Sequence, residues 1–216
     1  MLEKMKDFFN NRAENYEEHQ LNNIDFAKEF YPFTAKCLPI LKNANILDLG
    51  CGTGLELEEY FKINPSASIT GIDLAPKMLE TLKNKFPDKK LNLINASYFD
   101  VQFGENKFDA AVSAESIHHF LKDEKIPLYK KIYKALKDNG YFILTDYFAL
   151  SDEEELKYIE EFTKLKSENK AESSEIYHFD IPLTVPHEVE VLLSAGFSNV
   201  EVLKSWGATS TLKAIK

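Results

Sequence analysis

The sequence has little of what would tie it to nucleic acid, to a disulfide framework or to a membrane. Its 216 residues include one arginine, Arg12, and 26 basic against 35 acidic side chains, for a formal charge of -9. Such a surface does not grip a phosphate backbone through a broad electrostatic footprint. Two cysteines, Cys37 and Cys51, with no CxxC spacing, are too few for a disulfide scaffold and read as reduced, mostly buried thiols. The N-terminus, MLEKMKDFFNNRAENYEEH, turns polar at once and offers no hydrophobic targeting core. The apolar patches ILDLG and YFILTDYFAL are much too short to span a bilayer. The expectation is a cytoplasmic protein with neither a membrane nor a nucleic-acid partner.

What is present is apolar mass and alternation. An apolar fraction of 44%, with 16 phenylalanines, supports one domain over residues 1–216. Strand-like NILDLG, SITGIDLA, KLNLIN, FDAAVSA and YFILTDY alternate with helical patterns. One of these opens at Pro76, where a missing N–H costs least. Another carries the stripe Leu128, Ile132, Ala135 and Leu136, stopped by Asp138-Asn139-Gly140. Repeated strand–helix units predict an α/β fold, a mostly parallel sheet with helices on both faces. A helix from Pro186 and two strands meeting near Gly207 predict an antiparallel addition at its edge. Residues 1–38 stand apart as an N-terminal helical cover of two helices, the second interrupted at Tyr31-Pro32. Residues 151–176 stand apart as a helical lid insertion, with Leu156, Ile159, Phe162 and Leu165 on its inner face and KSENKAESSE as a mobile tail.

The stretch NILDLGCGTGLELEEY concentrates the chemistry. A strand ends on Asp48-Leu49, and glycines fall at Gly50, Gly52 and Gly54 before a helix begins. Glycine at such a turn lets backbone approach a ligand without a Cβ in the way and points free N–H groups at it. The loop lacks the GKS or GKT of a phosphate loop, and its third glycine comes one residue early for GxGxxG. Glu56, Glu58 and Glu59 follow, a poor setting for a pyrophosphate. The ligand is therefore less anionic. In GIDLA, Asp73 ends the next strand, where a carboxylate can accept both hydroxyls of a ribose.

Together DLGCGTG and GIDLA resemble the class I S-adenosylmethionine-dependent methyltransferases, specifically the small single-domain group. The resemblance implies a Rossmann-like, seven-stranded, mostly parallel sheet with an antiparallel strand near the C-terminus, and S-adenosyl-L-methionine as cofactor. It implies that Asp48 and the backbone of Gly50, Cys51, Gly52 and Gly54 line the methionine moiety. Asp73 would take the ribose hydroxyls and Leu74 would lie against adenine. Ala96 and Ser97, where relatives often carry Gly-Asp, would also touch adenine. FNNRAENYE resembles the segment that precedes this core in many relatives, which puts Tyr16 near the cofactor's carboxylate end. Arg12 is a candidate partner for that carboxylate.

The acceptor side is read from AESIHHFLKDE, the connection after the fourth strand, where open α/β sheets place their sites. Its paired histidines also resemble those often found there in the group. His118, then His119, are the candidate catalytic bases, with at most one expected to face the acceptor. Glu115, Asp146 and Tyr147 are candidates to orient acceptor or histidine. His178 and His187, with Phe179, Phe148 and Trp206, are candidate pocket walls. No HxH or HExxH pattern occurs, so no metal site is expected. The implied function is methyl transfer to an O or N atom of a small-molecule acceptor, by a monomer or a homodimer. Modification of an RNA, use of the cofactor in an unusual carbon transfer, or a noncatalytic cofactor-binding regulatory role, are the alternatives.

Overall fold

The computed structural model describes residues 2–172 and 175–216. In chain order the elements begin with helices α1 (Met5–Arg12), α2 (Tyr16–Asn23) and α3 (Ala27–Lys36). Then β1 (Asn45–Leu49), α4 (Leu55–Ile63), β2 (Ser68–Asp73), α5 (Pro76–Lys85) and β3 (Lys90–Asn95) alternate. Next come β4 (Phe108–Ala114), a single 3-10 turn over Ile117–His119, α6 (Lys122–Ala135) and β5 (Leu136–Tyr147). The chain ends with α7 (Asp152–Glu168), α8 (Val185–Ser194), β6 (Asn199–Trp206) and β7 (Thr209–Ile215).

The seven strands lie in the order β3-β2-β1-β4-β5-β7-β6. β1 to β5 run parallel, and β7 enters antiparallel between β5 and β6. β1 is central, and its residues alternate between two cores. Leu47 and Leu49 pack with Leu128, Ile132, Val191 and Leu192 of α6 and α8. Ile46 faces the other way, onto Ala35, Leu57 and Leu82 of α3, α4 and α5. A strand covered on both faces shows the nearly continuous apolar run that NILDL displays. The order reverses at β1, between β2 and β4, so the carboxyl ends of those strands splay and leave a crevice there. No described helix is long and apolar enough to cross a membrane.

Four local expectations are corrected. The first 38 residues hold three helices, and Pro32 lies inside α3. Its missing N–H orphans only the carbonyl of Lys28, an exposed residue that water can serve. Leu136 opens β5 instead of closing α6, because the Asp138-Asn139-Gly140 turn is absorbed within the strand. Asn139 takes φ 62° there, and the register against β4 shifts between Phe108 and Ala110. On α7 the buried face carries Glu155 and Phe162, while Leu156 is 58% exposed. The tail KSENKAESSE overlaps α7 through Glu168, and Ser173 and Ser174 lie outside the described residues.

Candidate active site

The loop after β1 explains its own glycines. Gly50 sits at φ 70°, and a Cβ there would fall 2.1 Å from the Ser116 hydroxyl oxygen, so only glycine lets the connections after β1 and β4 meet. Gly52, at φ 48°, donates its N–H to Asp73 Oδ2 at 2.9 Å, and Ala75 N–H donates to Oδ1 at 2.8 Å. Burial pushes the Asp73 carboxyl up to about 6, opposed by the backbone N–H groups of Ala75, Gly52 and Leu74. Each Asp73 oxygen thus keeps a lone pair for a hydroxyl donor.

Of the residues expected to bind cofactor, Tyr16, Gly50, Gly52, Asp73, Leu74, Ala96 and Ser97 share one crevice. Asp48, Cys51 and Gly54 do not line it. Cys51 turns inward, its Sγ 2.8 Å from where a Cβ on Gly71 would lie, and Gly54 caps α4 against Leu82 and Phe86. Asp48 lies beneath the loop, 1% exposed, with neither carboxyl oxygen hydrogen-bonded. Burial and the neighbouring Glu56 hold its pKa well above the usual carboxylate range. An orphaned buried acid under a glycine cradle fits a cationic group arriving above it, and the methionine end of the expected cofactor carries an ammonium. The crevice holds only about 50 Å³ of free space, room for a water or two. Met5, Phe9 and Tyr16 of the N-terminal helices are among its lining residues. Met5, Met78, Tyr98 and Phe120 were missed as lining residues because an apolar site wall has the same sequence pattern as core.

Beside the crevice opens a cavity of about 830 Å³. The two share Phe9, Tyr16 and Glu115. Glu115 stands at this neck in the left-handed conformation, φ 52°, a strain of about 1 kcal/mol for a residue with a Cβ. Its Oε1 is buried without a hydrogen-bond partner. Burial raises its pKa to about 8; the nearby His118 charge lowers it and Asp146 raises it.

Both histidines line the cavity, against the expectation of one. Their roles differ. His118 Nδ1 meets Asp146 Oδ1 at 2.5 Å, and its Nε2 lies 3.4 Å from Asp180 Oδ1. Asp146 lies behind the cavity wall, held by the N–H groups of Ile117 and Tyr147 at 2.9 and 3.0 Å. Burial alone would depress His118, but Asp146 and Asp180 outweigh it and raise the pKa well above normal. His118 is therefore held as an imidazolium, with Nδ1 donating to Asp146 and Nε2 within ion-pair distance of Asp180. His119 Nδ1 lies 3.1 Å from the Phe179 carbonyl oxygen. A carbonyl only accepts, so Nδ1 carries the hydrogen and Nε2 is left with its lone pair. Burial and the His118 charge lower the His119 pKa. It is a neutral base next to a cation.

Glu115, Tyr147 and His178 reach the cavity as expected; His187 does not. His187 pairs with Glu155 of α7 at 2.9 Å, because α8 presents it to the lid-side helix and away from the sheet edge. Phe148 and Phe179 are also corrected, being packed in the core and stacked on Phe162 respectively. Trp206 is a wall. His178 stacks on Phe8 with ring centres 3.4 Å apart, and burial lowers its pKa to about 4. Arg12 donates to the Phe8 carbonyl at 3.0 Å and reaches Glu3 at 3.3 Å. Asp180, 61 residues beyond His119, was missed; no short-range spacing joins it to the histidines.

His118, His119 and Asp180 bring ligand atoms within 4.8 Å of one another, as do Glu115, His118 and Asp146. The separations of 3.1 and 3.4 Å match the roughly 3.3 Å edge of a zinc tetrahedron. The lone pairs do not. His119 Nδ1 is spent as a donor to Phe179 and His118 Nδ1 as a donor to Asp146, while the His118 ring is held protonated beside Asp180. The donor set fits a hydrogen-bonded ion network rather than a resident metal.

A family model described as a methyltransferase domain matches residues 47–144. The carboxy-S-adenosyl-L-methionine synthase of Nautilia profundicola is 28% identical over 222 residues, 97% of this chain and 89% of that protein. A solved Nostoc punctiforme structure superposes with TM-score 0.73 at 20% identity; the match covers 99% of this chain but only 61% of that longer one. Human N-acetylserotonin methyltransferase, solved with S-adenosylmethionine, gives TM-score 0.67 at 19% identity, over 98% of this chain and 56% of its own. The seven-stranded order with its reversed β7, the glycine loop beside Asp73 and these matches agree: the chain has the fold of the class I S-adenosylmethionine-dependent methyltransferases, and its central part, residues 47–144, matches a methyltransferase domain.

Proposed function

We propose that the protein transfers the methyl group of S-adenosylmethionine to an O or N atom of a small-molecule acceptor bound in the cavity beside the crevice. One observation carries this reading. Crevice and cavity meet at a neck of Phe9, Tyr16 and Glu115, so donor and acceptor are held side by side. When bound, the cofactor supplies a methyl group already activated on sulfur, which leaves the protein to position, desolvate and manage a proton.

The residues divide that work. Asp73 accepts the ribose hydroxyls, Leu74, Ala96 and Ser97 border the base, and the backbone of Gly50 and Gly52 receives the methionine end, over buried Asp48. α1 and α2 act as the cover and α7 as the outer lid, excluding water on closure. His119, and not His118 as the sequence order of preference had it, takes the acceptor's proton through Nε2. His118, fixed between Asp146 and Asp180, keeps the field that holds His119 neutral.

A second reading comes from the Nautilia relative, whose name describes synthesis of a carboxylated cofactor. A carboxylate in the cavity would need a cation facing it. Among the described lining residues the one permanent cation is Arg12, which Glu3 and the Phe8 carbonyl already engage. Methyl transfer is therefore the better fit. Calorimetry should show binding of S-adenosylhomocysteine in preference to NAD or ATP. Mass spectrometry of cofactor recovered after turnover should show S-adenosylhomocysteine; a carboxylated cofactor would overturn methyl transfer, and binding of NAD alone would overturn the whole reading.

A further inference from the structure

The cavity has a charge and a surface that select among small molecules. Its titratable lining residues are Asp25, Glu115 and Asp180 on one side of the ledger, and Arg12 with His19, His118, His119 and His178 on the other. Arg12 is neutralised within its own segment, its guanidinium lying 3.6 Å above the Phe8 ring. His118 is offset by two carboxylates, Asp146 and Asp180. His119 and His178 are held neutral by burial. Among the buried carboxyl oxygens of the lining, Glu115 Oε1 is left without a hydrogen-bond partner, at the neck where crevice and cavity meet.

Leaving a buried carboxyl oxygen unpaired is destabilising, and here it is held in a strained backbone besides. A group kept at that cost in a ligand cavity has its partner in the ligand. The partner must donate hydrogen bonds and tolerate, or carry, positive charge. The surrounding walls point the same way: Phe9, Tyr16, Tyr147 and Trp206 present aromatic surface to the space. Aromatic faces attract cations, the more strongly when water is excluded. Anionic acceptors find the opposite, since no described lining cation is free to meet a carboxylate or phosphate.

We propose that the acceptor is a primary or secondary amine, entering as its ammonium ion and methylated on nitrogen, with Glu115 as the residue that selects it. This rests on the methyl-transfer reading above. One N–H of the ammonium donates to Glu115 Oε1, and another proton passes to His119 Nε2, leaving a neutral amine with its lone pair free. That lone pair forms the new N–C bond as the methyl carbon's bond to sulfur breaks, the electron pair staying on sulfur. The product leaves as a methylated ammonium, still bearing a proton for Glu115, and the His119 proton goes to solvent. Charge balances: ammonium and sulfonium enter, methylammonium and one proton leave. The raised Glu115 pKa is consistent, because an ionised carboxylate forms there readily only when a cation accompanies it.

Matched acceptor series test this, each skeleton offered as amine, alcohol and carboxylate: tyramine, tyrosol and 4-hydroxyphenylacetate, and the corresponding linear six-carbon set. Transfer from radiolabelled S-adenosylmethionine and binding to the S-adenosylhomocysteine complex are both read. The expected result is that amines bind and are methylated on nitrogen, and that Glu115→Gln lowers kcat/KM for them about tenfold to a hundredfold. Cofactor affinity and the melting temperature report whether that variant is folded, and Glu115→Asp should recover part of the rate. Equal or faster methylation of alcohols or acids overturns the proposal, as does amine binding no tighter than that of the matched acids. Loss of activity in EDTA with recovery on adding zinc or manganese would overturn it in favour of a metal-held acceptor. An equal loss of S-adenosylmethionine affinity in Glu115→Gln would instead assign Glu115 to the sulfonium. Failure to bind S-adenosylhomocysteine at all would remove the underlying reading and not merely the amine.

Discussion

Two buried polar clusters lie within the same domain, and only one of them is complete. Between α6 and α8, Lys125 and Glu188 are each 1% exposed and paired at 2.6 Å, and the Tyr129 hydroxyl donates to the other Glu188 oxygen. Both Glu188 oxygens are matched within the protein, and no cavity opens beside them among those described. At the carboxyl edge of the sheet, Glu115, His118, His119, Asp146 and Asp180 crowd together around a space. There Glu115 Oε1 has no partner, and His119 Nε2 has none among the described residues. A closed set of hydrogen bonds pins two helices together; an open one waits for a ligand. Burial of charge alone does not mark a site. Incompleteness does.

The contrast makes its largest prediction on the closed side. Glu188→Ala strands the Lys125 ammonium in the helix interface and should cost about 3–5 kcal/mol of stability. Denaturant unfolding measures this, while the fraction that stays folded should transfer methyl groups at the wild-type rate. A smaller and different effect is expected at the crevice. Asp73→Ala should weaken S-adenosylhomocysteine binding by about 1–3 kcal/mol, the loss of two hydroxyl hydrogen bonds to a carboxylate, with little change in melting temperature. Calorimetry separates the two variants cleanly.

The subtlest effect belongs to Glu115 and follows pH. Below about 4.5, the ordinary glutamate value, the carboxyl is protonated in both folded and unfolded chains. Between there and about 8 only the unfolded chain releases the proton, so the folded state loses stability as pH rises. Above that value the penalty is constant. Glu115→Gln should flatten this fall in the ligand-free protein and leave it more stable than wild type at pH 8.5. Equal slopes in the two proteins would mean that Glu115 is already satisfied in the empty site.

What was legible in the sequence was what local backbone geometry demands. Gly50 and Gly52 answer to a positive φ and a close approach, and Asp73 ends its strand, so a short motif located the loop and strand end that line the crevice. The parallel sheet followed from alternation and the β6–β7 pair from the short turn near Gly207, while the seven-stranded arrangement came from the family resemblance. Side-chain direction did not follow. Asp48 lies in the right strand yet is buried away from the crevice, and His187 lies in the right segment yet pairs with Glu155. Asp180 completes the histidine cluster from a return of the chain that no spacing rule anticipates. The choice between His118 and His119 was equally hidden, since it turns on which nitrogens Asp146, Asp180 and the Phe179 carbonyl consume.

That choice is also where the reading of the open cluster as reactive chemistry is most directly exposed. Single-turnover methylation of the fastest acceptor should be measured for His118→Ala and His119→Ala at saturating cofactor, from about pH 5.5 to 9, a range that brackets an unperturbed imidazole. His119→Ala should slow transfer by about a hundredfold to ten-thousandfold with cofactor affinity unchanged, and the ionisation of a base with a depressed pKa should vanish from the profile. His118→Ala should slow it less and shift that ionisation upward, since the neighbouring positive charge is gone. Wild-type rates and pH profiles in both folded variants would contradict the account.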